Sequence, residues 1–266
     1  MTHILVKGAC GRMGSKIIAL ILKNPRFNLF GAIEFKSHPS VGRDAGEMAG
    51  MGKSGINILE DFPSILKPDT VCIDFSSPES ALKTCEWAEK QGVPTVVGTT
   101  GFSVRQLESL FNASKKVPLV YSPNMSIGVN VMFKLLKEAA SKLGQDYDME
   151  VLELHHHLKK DAPSGTALKM AQILSGAIGE NLDDIAVFHR QGIIGARKKK
   201  EIGIQSIRAG DIVGEHTVYF AGLGERLEIT HRATSRENFA QGALMAAEWL
   251  VGKPAGLYDM QAVLGL

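Results

Sequence analysis

Residues 3–22 read HILVKGACGRMGSKIIALIL and carry the strongest indication of the fold. Residues 3–7 read as a short strand around the apolar residues 4–6, three glycines follow, and apolar residues then recur at helical spacing. This pattern indicates a dinucleotide-binding unit: Gly8 permits a tight turn, Gly11 admits a pyrophosphate to the backbone, and Gly14 lets the helix approach the sheet. Because the spacing is G-x-x-G-x-x-G, a glycine-rich turn without a ligand is the alternative.

A second strand strengthens the dinucleotide interpretation. Leu29 to Ile33 reads as a strand that ends at Glu34, about 20 residues beyond the glycines, where an acidic side chain accepts hydrogen bonds from the adenosine ribose. A Walker A interpretation of residues 52–54 (GKS) fails, because Glu47 stands where that motif needs glycine and no strand leads into the loop. We therefore expect a mobile surface loop near the cofactor there.

Strands and helices continue to alternate through the first half of the chain. Thr70 to Phe75 reads as a buried strand, Pro78 to Gln91 as a helix, and Pro94 to Val97 as another strand. This alternation predicts a parallel sheet, in which ligands collect at the carboxyl ends of the strands. We expect residues 76–78 and Gly98 to Gly101 to line the nicotinamide half, with a plain turn and helix cap as the alternative for the glycine segment.

The pattern changes after a helix predicted from Val129 to Leu143. Four further segments read as strands separated by glycine turns, which is typical of an antiparallel sheet. They are residues 185–188, 203–208, 213–220 and 225–231. The predicted fold class is therefore an α/β Rossmann-like parallel-sheet domain, residues 1–126 and 237–266, plus an α+β domain with a mainly antiparallel sheet, residues 127–236. We expect a cleft between the two lobes and a last long helix that returns to the first.

Composition excludes several classes of partner. The chain has 266 residues, with 30 Lys and Arg against 28 Asp and Glu, so its charge gives no reason to expect a nucleic acid or an acidic membrane as partner. No segment approaches the ~18 apolar residues of a membrane span. Cys10, Cys72 and Cys85 are odd in number and lack metal-type spacing, which argues against disulfides and a zinc site. We expect a cytoplasmic protein.

The stretch most typical of chemistry runs from Glu153 to Ala167 and reads ELHHHLKKDAPSGTA. It joins a predicted strand to a predicted helix, and Ser164 or Thr166 can cap that helix. Backbone N–H groups at the helix start, flanked by imidazole and ammonium groups, favour an anion such as a carboxylate or phosphate.

The three adjacent histidines of this stretch allow three interpretations. A metal site is one, although neighbouring residues on a strand point to opposite faces and cannot all ligate one ion. Simple strand positions are the second, with His155 and His157 sharing one face unless the strand ends there. General acid chemistry is the third, because an imidazole titrates near neutral pH and can deliver a proton beside a hydride donor. Lys159 or Lys160 can be its electrostatic partner or the acid itself, and Asp161 can position the lysines or the turn.

With these residues assembled, the sequence resembles the dihydrodipicolinate reductase family, also named 4-hydroxy-tetrahydrodipicolinate reductases, of diaminopimelate and lysine biosynthesis. The resemblance covers essentially the whole chain, and the string HHxxKxDAPSGTA is its most specific part. The matching segments are residues 8–14 (GACGRMG), 98–102 (GTTGF), 124–130 (NMSIGVN), 153–167, 208–216 (RAGDIVGEH) and 225–231 (ERLEITH).

The resemblance implies the reaction and the residue roles. NADH or NADPH gives a hydride to the ring of a small dicarboxylate, water is lost, and tetrahydrodipicolinate forms. His155 matches the proton donor and Lys159 the second catalytic group, with substrate contacts at His156, Gly165 and Thr166. The implied cofactor residues are Gly8, Ala9, Cys10, Gly11, Arg12, Met13, Glu34, Gly98, Thr99, Thr100, Ser122, Pro123, Asn124 and Met125. The resemblance implies no metal and a homotetramer built through the sheet of the second domain.

One position departs from the family pattern. Members that use NADPH well often have arginine directly after the acidic ribose residue, and this chain has Phe35 there. Lys36 or Arg12 can substitute, and we expect NADH to be used at least as well as NADPH. A dinucleotide-sensing protein without turnover is the alternative function, although a sensor has no need of an acid beside the nicotinamide.

Overall fold

The computed structural model describes all 266 residues. Its strands are Thr2–Lys7 (β1), Phe27–Ile33 (β2), Ile58–Leu59 (β3), Thr70–Asp74 (β4), Thr95–Val97 (β5), Pro118–Tyr121 (β6), Asp148–His155 (β7), Ala186–Val187 (β8), Ile202–Arg208 (β9), Gly214–Ala221 (β10), Arg226–Ala233 (β11) and Gly256–Tyr258 (β12). Its helices are Arg12–Lys23 (α1), Ala45–Met48 (α2), Pro78–Gln91 (α3), Val104–Ser114 (α4), Ile127–Leu143 (α5), Gly165–Ala177 (α6), Leu182–Ile185 (α7), Glu237–Leu250 (α8) and Met260–Leu264 (α9).

The chain folds into two compact units. The first contains Met1–Ile127 and Arg236–Leu266, and the second contains Gly128–Ser235. A parallel, Rossmann-like sheet forms the first unit and a second sheet with antiparallel pairing forms the other, so the predicted fold class is confirmed. None of the helices combines the length and the apolar composition that crossing a membrane requires.

The first unit is built on a seven-stranded parallel sheet with the order β12-β6-β5-β4-β1-β2-β3. Its central strands are apolar on both faces because helices cover both, and all five residues of β4 are buried. Helix α8 contributes six buried residues to the core that β1 and β4 share with α1. Beyond α8, β12 pairs with β6 at the sheet edge and α9 buries Met260.

The second unit is built on a five-stranded sheet with the order β11-β10-β7-β9-β8. Pairing is antiparallel from β11 through β10 to β7 and parallel from β7 through β9 to β8. Along β7 burial alternates, so that Met149, Val151, Glu153 and His155 share the covered face. Helix α6 contributes Met170 and other apolar residues to the core against this face.

The segment before β9 differs from the prediction. Residues 182–185 form the short helix α7, and only two residues of the strand predicted over 185–188 pair with β9. The basic run at residues 197–200 precedes β9, and its three lysines are exposed. Arg197 donates to Asp148 at 2.7 Å and to Glu150 at 3.2 Å, so this guanidinium holds the loop against β7.

Candidate active site

The glycine loop after β1 is shaped by backbone contacts that only glycine allows. Gly8 has φ +78°, and a Cβ there would lie 2.4 Å from the carbonyl oxygen of Phe75. A Cβ at Gly14 would lie 2.1 Å from the carbonyl oxygen of Gly8, so the third glycine lets α1 pack against the turn. Gly11 is the N-cap of α1 and supplies no side-chain oxygen to the first-turn N–H groups. The loop therefore turns the uncapped, positive end of a helix outward, as a pyrophosphate site requires.

Glu34 lies directly after β2 and is 8% exposed. Its Oε2 accepts the backbone N–H of Cys10 at 3.0 Å, and its Oε1 accepts that of Phe35 at 3.0 Å. These bonds fix the carboxylate beside the glycine loop, and each oxygen keeps lone pairs for further donors. The Phe35 side chain is 57% exposed and contacts the His38 ring edge-on, with centroids 5.0 Å apart.

A buried carboxylate, Asp74, organises the next two strand ends. It accepts hydrogen bonds from Ser76 Oγ at 2.7 Å and from Thr99 Oγ1 at 2.8 Å, and a third from Thr84 Oγ1 at 2.6 Å. Burial raises the pKa of Asp74 above its ordinary range, and these hydrogen bonds oppose that rise. Asp74 thus joins the loop after β4 to the predicted cofactor segment that begins at Gly98.

The loop after β6 is held by its own polar groups. Ser122 Oγ donates to the carbonyl of Asn124 at 2.8 Å, and Asn124 Oδ1 accepts the N–H of Ser126 at 2.9 Å. Met125 is buried in the core, and a Cβ at Gly242 in α8 would lie 1.8 Å from its carbonyl oxygen. All fourteen predicted cofactor residues lie in or beside loops that follow β1, β2, β5 and β6. These strands run parallel in one sheet, so the loops share one edge of it.

In the second unit, Glu153 and His155 form a buried pair on β7. Glu153 is fully buried and His155 is 9% exposed. His155 Nδ1 lies 2.5 Å from Glu153 Oε2. Because the carboxylate is ionised, Nδ1 is the donor, and Nε2 is left as the atom that can exchange a proton with a ligand. A Cβ at Gly214 would lie 3.0 Å from Nε2, so glycine in β10 leaves room beside that nitrogen.

The same carboxylate holds two other parts of the site. Arg208 at the end of β9 donates to both Glu153 oxygens, at 2.9 and 2.7 Å, and donates to the Asp161 carbonyl at 2.6 Å. The backbone N–H of Ser164 donates to Glu153 Oε1 at 3.1 Å. Glu153 thus fixes the histidine, the loop after β7 and the residue that starts α6 relative to one another.

The charge of Glu153 follows from these contacts. Burial alone would raise the pKa of its carboxyl, but hydrogen bonds from His155, Arg208 and Ser206 outweigh burial and lower the pKa from its usual 4.5 to about 2. The ionised carboxylate therefore contributes stability that is fully present above pH about 4.5 and is lost as the pH falls toward 2. Glu153 stays anionic at any pH at which the protein would work.

The loop from 156 to 163 decides between the two predicted placements of the histidines. Strand β7 ends at His155, so His157 does not share its face; the His157 backbone N–H and Nδ1 both contact the carbonyl of Gly210. Lys159 Nζ donates to both oxygens of Asp161 at 2.8 Å, and this ammonium lowers the pKa of Asp161. Asp161, which was predicted to position the lysines, thus pairs with Lys159. The Lys159 side chain is 20% exposed.

Helix α6 begins as predicted with a serine cap. Ser164 Oγ accepts the N–H of Ala167 at 3.2 Å, and the first helical residues are Gly165 and Thr166. A Cβ at Gly165 would meet no protein atom within 4 Å, and its φ is not positive, so nothing inside the protein requires glycine there. Glycine at a helix start instead permits close approach of a ligand to the backbone.

A second buried histidine, His216, lies against this arrangement. Its Nε2 is 3.1 Å from Ser164 Oγ, and its ring meets that of His155 edge-on at 5.2 Å. Burial lowers the pKa of His216 to about 3, and the neighbouring His155 adds to this effect. His216 is therefore neutral near pH 7 and supports the cap without adding charge.

Sequence reasoning gave no role to Glu153, Arg208, His216 or Asp74, all of which the structure places inside the two sites. A signal for Glu153 was present, because residues i and i+2 of a strand share a face and the side chain two before His155 is a carboxylate. Arg208 and His216 come from other strands, and no local pattern relates those strands to β7.

Both halves of the chain match family models. The model described as the N-terminus of dihydrodipicolinate reductase covers residues 2–125, and the one described as its C-terminus covers residues 128–264.

Full-length relatives agree with these matches. The 4-hydroxy-tetrahydrodipicolinate reductase of Syntrophus aciditrophicus is 53% identical over 265 residues, which span 100% of this chain and 99% of the relative. The enzyme of the same name from Hahella chejuensis is 50% identical, with 100% of both chains covered. A solved structure of dipicolinate-bound dihydrodipicolinate reductase from Paenisporosarcina sp. TG-14 aligns over 97% of each chain with a TM-score of 0.70 at 22% identity, which is a likeness of fold.

Proposed function

Because this chain belongs to the dihydrodipicolinate reductase family, we propose that it reduces 4-hydroxy-tetrahydrodipicolinate to tetrahydrodipicolinate in diaminopimelate and lysine biosynthesis. It is a nicotinamide-dependent oxidoreductase, and the bound dinucleotide supplies a hydride to the substrate ring. The ring loses its hydroxyl group as water and gains the hydride and a proton. A sensor without turnover is not favoured, since the full-length relatives are named as reductases.

The first unit binds the cofactor. The uncapped start of α1 faces the pyrophosphate, with Gly8, Ala9, Cys10 and Gly11 in the turn and Arg12 and Met13 opening the helix. The Glu34 carboxylate accepts hydrogen bonds from the ribose hydroxyl groups. The loops at the next strand ends contact the nicotinamide half: Gly98, Thr99, Thr100, Ser122, Pro123, Asn124 and Met125. Gly8 and Gly14 support the fit of a dinucleotide to this loop, because a Cβ at either position would clash with a backbone carbonyl oxygen.

The second unit binds the substrate and moves the proton. His155 delivers a proton from Nε2, and the buried Glu153 carboxylate holds Nδ1 so that Nε2 points away from it. Lys159 places positive charge beside the ring, and His156, Gly165 and Thr166 bind a carboxylate. The observation that carries this proposal is that one carboxylate, Glu153, binds both the proposed acid and the residue that caps the carboxylate-binding helix.

Gly165→Ala is expected to raise KM for the dicarboxylate about tenfold while leaving protein stability unchanged or slightly higher. An added methyl group finds open space in the protein but stands where the substrate carboxylate approaches the helix start. Steady-state kinetics and thermal unfolding check this. Gly176→Ala is the matched control, since it lies in the same helix and its Cβ would also meet nothing within 4 Å. A KM that both variants leave unchanged would remove Gly165 from the site.

The cofactor preference follows from Phe35. Its exposed ring offers no hydrogen bond to a 2′-phosphate, so we propose that NADH is used at least as well as NADPH. Phe35→Arg is expected to raise kcat/KM for NADPH about tenfold, because a guanidinium pairs with phosphate through charge-assisted hydrogen bonds. Comparing kcat/KM for both cofactors checks the preference, and a strong NADPH preference of the unaltered protein would contradict it.

We also propose a homotetramer that forms through the outer face of the five-stranded sheet. Leu152 and Leu154 of β7 lie on that face beside Ile207 of β9, which is 42% exposed. Sedimentation is expected to give the mass of four chains of 28.7 kDa, and a monomer mass would contradict it. The three cysteines are free thiols, which supports a reducing compartment such as the cytoplasm.

A further inference from the structure

Three side chains that commonly bind transition metals converge beside the glycine loop. Cys10, Glu34 and His38 each offer one ligand atom, and these atoms lie within 4.8 Å of one another. Glu34 is buried, and the other two are half-buried. The cysteine follows β1, the glutamate follows β2, and the histidine lies in the loop beyond, so only the folded unit brings them together. Cysteine spacing in the sequence gave no sign of this cluster, because two of its members are not cysteines.

The cluster is held by contacts outside the three ligand groups. Both Glu34 oxygens accept backbone N–H groups, one of them from Cys10 itself, which ties the thiol-bearing residue to the carboxylate. The His38 ring packs edge-on against Phe35, and its Nδ1 accepts the backbone N–H of Ser40 at 3.1 Å. These contacts keep the three ligand groups near one another before any ion arrives.

We propose that Cys10, Glu34 and His38 form a site for Zn²⁺. Thiolate, carboxylate and imidazole are the ligands that this ion prefers, and three protein ligands leave a fourth tetrahedral position for water. Zinc bonds of about 2.0–2.3 Å need ligand atoms closer together than 4.8 Å, so binding requires the three side chains to move toward the ion. The two negative charges of thiolate and carboxylate match the charge of the ion.

Binding has identifiable costs. Burial raises the pKa of the Cys10 thiol and the Glu34 carboxylate adds to the rise, while Ser40 and Arg43 oppose it. Zinc therefore displaces a proton from the thiol. Whichever nitrogen of His38 binds the ion, the hydrogen bond from Ser40 is lost, since an imidazole bound through Nε2 carries its proton on Nδ1.

The site has a consequence for cofactor binding, which rests on the proposed function. Glu34 is the group proposed to accept the ribose hydroxyls, and Cys10 belongs to the glycine loop. A carboxylate that ligates zinc cannot keep the same geometry toward a ribose. Zn²⁺ and the dinucleotide therefore exclude each other, and zinc acts as an inhibitor that competes with NADH.

The first experiment measures zinc binding to the purified, metal-stripped protein without cofactor, by competition with a chromophoric chelator of known zinc affinity. The full chain is expected to bind one Zn²⁺, and Cys10→Ser and His38→Asn are each expected to weaken that binding at least tenfold. His3→Asn is the matched control, because His3 lies at the opposite end of β1 from the glycine loop. Circular dichroism verifies that each variant is folded. Equal zinc affinity in the unaltered protein and both cluster variants would overturn the site.

The second experiment measures the Kd of NADH by fluorescence titration at increasing Zn²⁺ concentration. The apparent Kd is expected to rise in proportion to zinc for the unaltered protein and to stay constant for Cys10→Ser. Zinc binding that depends on the cluster but leaves NADH affinity unchanged would overturn the competition and the ribose role of Glu34, while the metal site stands on the first experiment. The two experiments together therefore distinguish failure of the metal site from failure of the proposed cofactor site.

Discussion

His155→Gln is expected to lower kcat at least tenfold, because a positioned general acid contributes roughly 10²–10⁴-fold to rate. Glutamine keeps the bulk and polarity of the side chain but cannot deliver a proton. The affinity for NADH is expected to stay nearly unchanged, because every proposed cofactor residue lies in the first unit. Steady-state kinetics and an NADH titration measure the two quantities separately.

His157→Gln is the matched control for this substitution. His157 is two residues away and exposed, and its Nδ1 contacts only a backbone carbonyl, that of Gly210, at 2.8 Å. This variant is expected to keep kcat within about twofold of the unaltered protein, since exposed surface changes seldom matter. A kcat that His155→Gln leaves unchanged would remove His155 from the role of acid.

Glu153→Gln is expected to lower kcat roughly tenfold or more. The Glu153 carboxylate accepts a hydrogen bond from His155 Nδ1 at 2.5 Å. An amide nitrogen facing Nδ1 disturbs this hydrogen bond, which orients the ring. Steady-state kinetics and thermal unfolding separate this positioning role from a purely structural one, because a structural role would lower the free energy of unfolding without lowering kcat of the folded protein.

Glu150→Gln is the control for this second substitution. Glu150 lies on the same strand and also pairs with a guanidinium, that of Arg190, through two bonds of 2.9 Å, but it lies on the opposite face from His155. Loss of this carboxylate is expected to keep kcat within about twofold of the unaltered protein. A kcat that Glu153→Gln leaves unchanged would contradict the positioning role of Glu153.

Periodicity and glycine placement were sufficient for much of the fold. Helix α3 was predicted at its observed bounds, because proline opens it and Gly92 ends it in a left-handed conformation. Strand β12 was missed because it is three residues long and gains its order only from pairing with β6. The parallel pairing of β7 with β9 was also not predicted, since strand pairing depends on contacts between residues far apart in the sequence.

The candidate site was predictable where residues lie close in sequence. The stretch from Glu153 to Gly165 carries its own strand end, loop and helix cap, so its chemistry was recognised before the structure. Arg208 and His216 reach the same stretch from β9 and β10, 44 or more residues beyond Ser164. The pairing of Glu153 with Arg208 and the neutral state of His216 therefore required the three-dimensional arrangement.

The reductase activity of this protein is tested most directly by following NADH absorbance after addition of enzymatically generated 4-hydroxy-tetrahydrodipicolinate to the full chain. We expect NADH to disappear in proportion to substrate added, at a rate that His155→Gln reduces at least tenfold. No substrate-dependent loss of NADH or NADPH, from a folded protein that still binds the dinucleotide, would contradict the account and would favour a sensor.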